Sequence, residues 1–256
     1  MISNAKLKYL ASFKQAKNRS ESDVFVVEGD KIATEALLSG IEIQALCATA
    51  EWLGSNLKTV SGRVPDQMLF EVSDEELSRI SLQKSPNKVW LLARQPQPTP
   101  ADATVEGLVL ALDRIQDPGN MGTILRIADW CGVRHIVCTP DTVDYLNPKV
   151  VQASMGSVFR TQVLYCDLER YIAQSKAHGK TVYGAALGGT NVFETPLVQN
   201  AVLVIGNESK GLSPQLLKAV DQLIAIPNWG GTCESLNASV ATGIFCAEFR
   251  RQILQQ

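Results

Sequence analysis

Short apolar runs recur along the chain, separated by stretches whose apolar positions repeat at helical spacing. Before residue 94 the strand-like runs cover 24–27, 45–48, 68–72 and 88–93. The first closes at Glu28-Gly29. Asp30 then caps a helix through Leu38, and Gly40 ends it. Ser73 opens another helix, with Glu76 at the capping-box position. This alternation predicts a small α/β domain. Beyond residue 105 the runs cover 108–112, 135–138, 181–186, 201–205 and 223–226. Helical patterns over 123–131, 168–177, 214–220 and 238–249 accompany them. Strands that are apolar at every position, set between helices, predict a parallel sheet covered on both faces.

Residues 94–105, RQPQPTPADATV, hold three prolines among mostly polar positions and read as a stiff, extended linker. The chain therefore divides into a domain over 1–94, a linker over 95–105 and a domain over 106–256. At 256 residues, both parts are long enough to bury a core.

Composition narrows the class. Apolar residues make up 45% and charged residues 20%, as in soluble globular proteins. No apolar run reaches the ~18 residues a membrane span needs. Residues 1–20 lack a signal-peptide core, so the expected location is cytoplasmic. The six cysteines form no Cys-x-x-Cys pair and have no histidine at ligand spacing, so no metal is expected. Only His135 and His178 exist, one opening a strand and one ending a helix, which argues against histidine-based catalysis. A net charge of −2 gives no overall basic field. Locally, residues 1–20 carry Lys6, Lys8, Lys14, Lys17 and Arg19 with no acid. That arm could hold phosphates. On charge alone, a solvated amphipathic helix with Leu7, Leu10 and Phe13 inward is the more ordinary reading.

Parallel sheets bind ligands beyond the C-terminal ends of their strands. Three unusual segments lie there. The first, 120–126, is NMGTILR, after a polar turn at 113–119. The second, 206–212, is GNESKGL. The third, 226–237, is IPNWGGTCESLN and feeds the last helix. Glycine-bearing loops ahead of helix N-termini offer main-chain groups to a ligand. No strand leads into Gly-x-Gly-x-x-Gly or a P-loop, so the dinucleotide and P-loop readings lose their support. Arg126 sits among Ile124, Leu125, Ile127 and Ala128, where an unpaired charge is costly. It is either a structural ion-pair partner or a planar fork for a phosphate or developing oxyanion. Glu208 either accepts from a ligand, orients Arg126, or is a solvated acid at a tight turn. Glu234-Ser235 reads as the cap of the last helix, with Asn237 in its first turn facing the crevice. Without a histidine, Ser235 has no triad.

In this order, Asn120…Arg126, Gly206-Asn207-Glu208…Gly211-Leu212 and Ile226-Pro227…Ser235-Leu236-Asn237 resemble the three motifs of the SpoU (TrmH) family of RNA ribose 2'-O-methyltransferases. The resemblance covers about residues 107–251. The run Phe25-Val26-Val27-Glu28-Gly29, with the basic stretch before it, resembles the substrate-binding extension of the rRNA branch. The third loop is one residue longer than the family pattern, through Gly230-Gly231-Thr232-Cys233, and Ala238 stands where valine is familiar.

The resemblance implies an α/β SPOUT domain with a deep C-terminal trefoil knot, a rare exception to un-knotted chains. It also implies a front domain like ribosomal protein L30e, which binds RNA. S-adenosylmethionine would be held by Leu187, Gly206, Asn207, Ile226, Pro227 and Leu236. Arg126 would be catalytic, oriented by Asn120, with Glu208, Ser235 and Asn237 completing the pocket. The protein would be a homodimer through its C-terminal domain, with an active site near the dimer interface. The expected reaction is methylation of a ribose 2'-hydroxyl, on rRNA before tRNA, without a metal. Arginine normally stays protonated, which favours charge stabilisation over base catalysis. The competing readings are a non-catalytic RNA binder of the same fold and a base-nitrogen methyltransferase. The intact Asn120, Arg126, Glu208 and Ser235 set argues against the first, and Arg126 placed after Asn120, with Ser235-Leu236-Asn237, argues against the second.

Overall fold

The computed structural model describes residues 2–97 and 99–254. Pro98 of the predicted linker lies outside the described residues, as do Met1, Gln255 and Gln256. In chain order the elements are α1 (Asn4–Ser12), α2 (Ala16–Glu21), β1 (Val24–Glu28), α3 (Asp30–Ser39), β2 (Ile43–Ala48), α4 (Ala50–Val60), β3 (Leu69–Glu71), α5 (Asp74–Ile80) and β4 (Val89–Arg94). There follow β5 (Leu108–Leu112), α6 (Pro118–Trp130), β6 (His135–Cys138), α7 (Pro148–Ser154), β7 (Gln162–Tyr165), α8 (Leu168–Ala177), β8 (Thr181–Asn191), β9 (Ala201–Ile205), α9 (Pro214–Ala219), β10 (Gln222–Ala225) and α10 (Ala238–Ile253). They form two compact units, Met1–Gln97 with Leu146–Phe159, and Pro98–Tyr145 with Arg160–Gln256.

The first unit is built on a four-stranded sheet in the order β1-β4-β2-β3, antiparallel except for the β2–β3 pair. Leu7, Leu10 and Phe13 of the α1 region sink into a core with Val26, Trp90 and Leu92. The basic arm is thus an amphipathic helix, and part of its charge serves the fold. Arg19 Nη1 donates to the carbonyls of Phe13 (2.6 Å) and Lys14 (3.0 Å), which α1 leaves open at its end. Lys6 stands over the rings of Tyr9 and Phe70, 5.3 and 5.4 Å from their centroids. Lys17 faces Glu21 at 3.7 Å on the surface. The capping box at Ser73 and Glu76 forms as expected, with both hydrogen bonds in place. One cap differs. Gly29, at φ +103°, is the N-cap of α3, and Asp30 is its first residue. Asp30 Oδ1 instead accepts from Trp52 Nε1 at 2.5 Å, so its carboxylate fastens α4.

In the second unit six parallel strands run in the order β10-β8-β9-β5-β6-β7. β5 and β9 are buried at every position. Val182 shares a core with Ile172 of α8 and Leu216 of α9, whereas its neighbour Tyr183 meets Phe249 of α10 edge-on at 5.5 Å. Adjacent strand residues point to opposite faces, so helices cover both. The parallel sheet read from the chain is present.

The ends of the expected linker belong to different units. Gln95 N donates to Asp23 O (2.8 Å) and its side chain to Val24 O (3.1 Å), within the first. Ala103 is buried in the core of the second, where Tyr171 Oη donates to Asp102 O.

All strands of the second sheet point the same way, so the residues following Leu112, Ile205 and Ala225 emerge at one edge. β8 adds a fourth piece. Its pairing with β10 jumps from Gly184↔Leu223 to Thr190↔Ile224, so residues 185–189 loop out of the ladder. Gly189 makes this possible. A Cβ there would sit 2.6 Å from the Ile224 backbone.

Candidate active site at the strand C-terminal edge

Four loops meet at this edge: 113–120, 185–189, 206–212 and 226–237. The last three of these, with the start of α10, line a cavity of about 470 Å³, within the range of small-molecule sites. Its walls mix small residues such as Ala185, Ala186, Gly206 and Gly211 with larger apolar ones such as Ile205, Leu217 and Phe245. Leu187, Gly206, Asn207, Ile226 and Leu236 line it, together with Glu208 and Ser235. Pro227 is not among the described lining residues, and neither are Asn120, Arg126 and Asn237.

The loop after β9 is folded back on itself. Asn207 and Gly211 exchange backbone hydrogen bonds of 3.1 and 2.9 Å. Asn207 Oδ1 accepts from the amides of Ser209 and Lys210, both at 3.1 Å. Gly206 is required by the chain itself. A Cβ there would lie 2.3 Å from Gly211 C and 2.4 Å from Leu212 N. The glycine that suggested close approach of a ligand thus first permits close approach of its own loop.

Glu208 binds this loop to the others. Its carboxylate accepts from Asn120 Nδ2 (3.0 Å), Asp117 N (3.2 Å), Gln116 N (3.3 Å) and Asn207 Nδ2 (3.3 Å). Partial burial pushes this carboxyl up, but the hydrogen bonds from Asn120 and the backbone outweigh it. The net value falls below the usual 4.5. Glu208 is an anion at neutral pH, and therefore only an acceptor.

Asn120 passes the connection on. Its Oδ1 accepts from Asn237 Nδ2 at 2.8 Å. Asn237 Oδ1 in turn accepts from Ser239 N (2.9 Å) and Val240 N (3.3 Å). Asn237, not Ser235, is therefore the N-cap of α10, at φ −56° and ψ 139°. The helix begins at Ala238, so the cap falls to the residue directly before it. Ser235 is left exposed in the loop, at the cavity wall.

The first segment also differs from its expected form. Helix α6 begins at Pro118, so Asn120 lies in its first turn and not in a polar turn ahead of it. Asp117 Oδ1 caps Asn120 N at 2.8 Å, and proline suits the first helical position. Six residues on, Arg126 is exposed, while Ile124, Leu125 and Ala128 carry the buried stripe. Its side chain lies on the solvent side of α6, off the buried stripe. Arg126 makes no hydrogen bond or ion pair among the described residues. Asn120 and Glu208 are bonded to each other and do not orient it.

Sequence reasoning missed the pair beneath these loops. Asp113, fully buried, receives Arg114 Nε (2.7 Å) and Nη2 (3.0 Å), and also Ser213 N (2.7 Å). Arg114 adopts φ +57°, and its carbonyl accepts from Asn207 Nδ2 at 2.7 Å. Its guanidinium is held above its ordinary value by the Asp113 hydrogen bonds. An acid and a base directly after the apolar run 108–112 were the available signal. No group of three or more potential metal-binding side chains occurs among the described residues.

The family model described as the SpoU rRNA methylase family matches residues 107–247, and the MRM3-like substrate-binding domain matches residues 4–90. The chain is 31% identical over 249 residues to the 23S rRNA (guanosine(2553)-2'-O)-methyltransferase RlmP of Bacillus subtilis, covering 96% of each. An rRNA methyltransferase from Sinorhizobium meliloti, solved with bound AdoMet, superposes with a TM-score of 0.85 at 30% identity, over 99% of this chain and 97% of that one. A structure from Porphyromonas gingivalis ascribed to the TrmH family superposes with a TM-score of 0.88 at 37% identity, over 98% of this chain and 99% of that one.

Proposed function

We propose, from the premise that this chain belongs to the SpoU rRNA methylase family, that it transfers the methyl group of S-adenosylmethionine to a ribose 2'-hydroxyl of ribosomal RNA. The observation that carries the reading is the Asn237–Asn120–Glu208 chain of hydrogen bonds beside a cavity at the C-terminal edge of the parallel sheet. A ligand that is already activated needs holding and orienting, and this site is built for that. RlmP, similar over the full length, supports rRNA ahead of tRNA.

S-adenosylmethionine occupies the cavity in this reading, against Leu187, Gly206, Asn207, Ile226 and Leu236, with Pro227 shaping the loop. The 2'-oxygen bonds to the methyl carbon while the carbon–sulfur bond breaks, its electron pair passing to sulfur. The hydroxyl proton leaves to solvent or to an RNA phosphate. Ser235, on the cavity wall, contacts the reacting end. Asn120, Glu208 and Asn237 act as positioning residues, since they hold the loops in place around the space. Arg126 stays charged and stabilises the developing alkoxide.

The exposure of Arg126 fits an active site completed by a second copy of the chain. The exposed Trp130, one turn further along α6, supports a homodimer through the C-terminal domain. Sedimentation should then give about twice the 27.8 kDa chain mass. The C-terminal loops are threaded as the family's trefoil knot in this reading. The first domain, over 1–94, is the L30e-like RNA binder, joined by the linker 95–105 to the methyltransferase domain over 106–256. Its match to the MRM3-like domain supports this, and the exposed Lys8, Lys14 and Lys17, with Lys6 and Arg19, supply phosphate contacts. No helix among the described residues is long and apolar enough to cross a membrane, and we place the protein in the cytoplasm with its rRNA. The test is methyl transfer from labelled S-adenosylmethionine to unmodified rRNA. Label recovered in 2'-O-methyl ribose supports the reading, and label recovered on a base rejects it.

A further inference from the structure

The loop after β10 presents an aromatic ring that the chemistry above leaves unused. Trp229 is 79% exposed and Phe193 39%. Their rings stack with centroids 6.0 Å apart and planes 27° from parallel. The sheet brings them together, because Ala225 pairs with Asn191 and each ring follows shortly after its strand. Each ring also sits on a backbone turn fixed by an asparagine. Asn228 Oδ1 accepts from Gly230 N (3.0 Å) and Gly231 N (2.7 Å), and its Nδ2 donates to Gly231 O (3.1 Å). Asn191 Oδ1 accepts from Phe193 N at 3.1 Å. The large apolar surface is therefore held in the open on an ordered turn.

We propose that Phe193 and Trp229 form a stacking platform for an unpaired nucleobase of the RNA substrate, at the rim of the cavity. The proposal rests on the RNA reading above. Three observations select this occupant. Trp229 stays largely exposed beside Phe193, so its ring is open to a further stacking partner. Trp229 lies in the same loop as Ile226, Ser235 and Leu236, which line the cavity on both sides of it in sequence, so a base near the target ribose is within reach. Residues 226–233, which carry Trp229, hold no charged side chain; the nearest acids in sequence to the two rings are Glu194 and Glu234. A ring offers its face to any base, so the platform contributes affinity and alignment with little sequence preference.

The test uses the full-length protein and single-stranded decamers of adenosine and of uridine. Tryptophan fluorescence is titrated in the wild type, Trp229→Phe and Trp229→Ala. The adenosine decamer should quench the wild type, and more than the uridine decamer does. Trp229→Phe should lose most of the quench and keep most of the affinity. Trp229→Ala should bind adenosine decamer about 5- to 150-fold more weakly, the range for one stacked base. Calorimetric affinity for S-adenosylmethionine should stay within a few-fold in both variants. Unchanged RNA affinity in Trp229→Ala overturns the proposal. So does a fall in its sedimenting mass, which makes the ring a contact between copies, or a loss of S-adenosylmethionine affinity, which makes it part of the donor cavity. If the quench appears but the wild type transfers no methyl group, the platform stands and the proposed reaction falls.

Discussion

Asn237 Nδ2 donates to Asn120 Oδ1 at 2.8 Å, joining the cap of the last helix to the first turn of α6 across 117 residues of sequence. Through Asn120 Nδ2 the same link reaches Glu208, so three loops share one polar chain. Asn120 is buried and has one donor–acceptor amide to serve both sides. Replacing it by alanine leaves Asn237 Nδ2 and Glu208 Oε1 without that partner. Asn120→Ala should cost about 1–3 kcal/mol of stability, the penalty for unsatisfied polar groups in a partly buried site. A lowered denaturation midpoint checks this, together with weaker calorimetric binding of S-adenosylmethionine.

The Glu208 carboxyl gives the site an acid limit. Its folded value lies below the ordinary 4.5, so its contribution is fully present above that value. The contribution is lost as pH falls through the depressed folded value. Amide exchange at Gln116 and Asp117, which donate to Glu208, should therefore accelerate only below pH 4.5. Glu208→Gln should remove that step and loosen both amides at every pH, because a neutral amide is a weaker acceptor.

Gly206 and Gly188 form a matched pair. A Cβ at Gly206 strikes backbone at 2.3 Å, whereas at Gly188 nothing lies within 4 Å. Gly206→Val should abolish S-adenosylmethionine binding and cost at least about 1–3 kcal/mol by overpacking. Gly188→Ala should bind within a few-fold of wild type. Calorimetry on both, with circular dichroism to confirm folding, decides the matter.

Arg126 should be needed for turnover and not for donor affinity, since it is exposed and lies outside the cavity lining. Arg126→Ala should lower single-turnover transfer about 10²–10³-fold, the usual loss for one preorganised donor. S-adenosylmethionine affinity should move only a few-fold. Arg126→Lys should also transfer poorly, because a point charge cannot reproduce the planar fork.

Much of this architecture was readable because the central strands are apolar at every position. β5 and β9 stand in the structure with the limits expected of them. β7 escaped notice because it is a sheet-edge strand of mixed burial, with Gln162 and Tyr165 exposed. α7 escaped because its start, Asn147-Pro148, looks like a turn until the cap bond to Lys149 N is seen. The same ambiguity hid the start of α6, where Pro118-Gly119 reads as a loop and is helix. At the site, the three segments meet as their places after strand ends implied. Their internal wiring was not legible. Whether Asn120 turns toward Arg126 or Glu208 depends on the rotation of α6, which apolar neighbours in sequence do not specify. Nor does an apolar run ending in Gly188-Gly189 reveal that residues 185–189 leave the ladder and help wall the cavity.

The central claim is ribose methylation, and the most direct test is the fate of the methyl group. Ribosomal RNA from a strain lacking this protein is incubated with the purified enzyme and methyl-labelled S-adenosylmethionine, then digested to nucleosides. Label is expected in a 2'-O-methyl nucleoside at a defined position, its 3'-phosphodiester resistant to alkali, with no transfer when that position carries 2'-deoxyribose. Label on a nucleobase, or undiminished transfer to the 2'-deoxy RNA, would contradict ribose methylation.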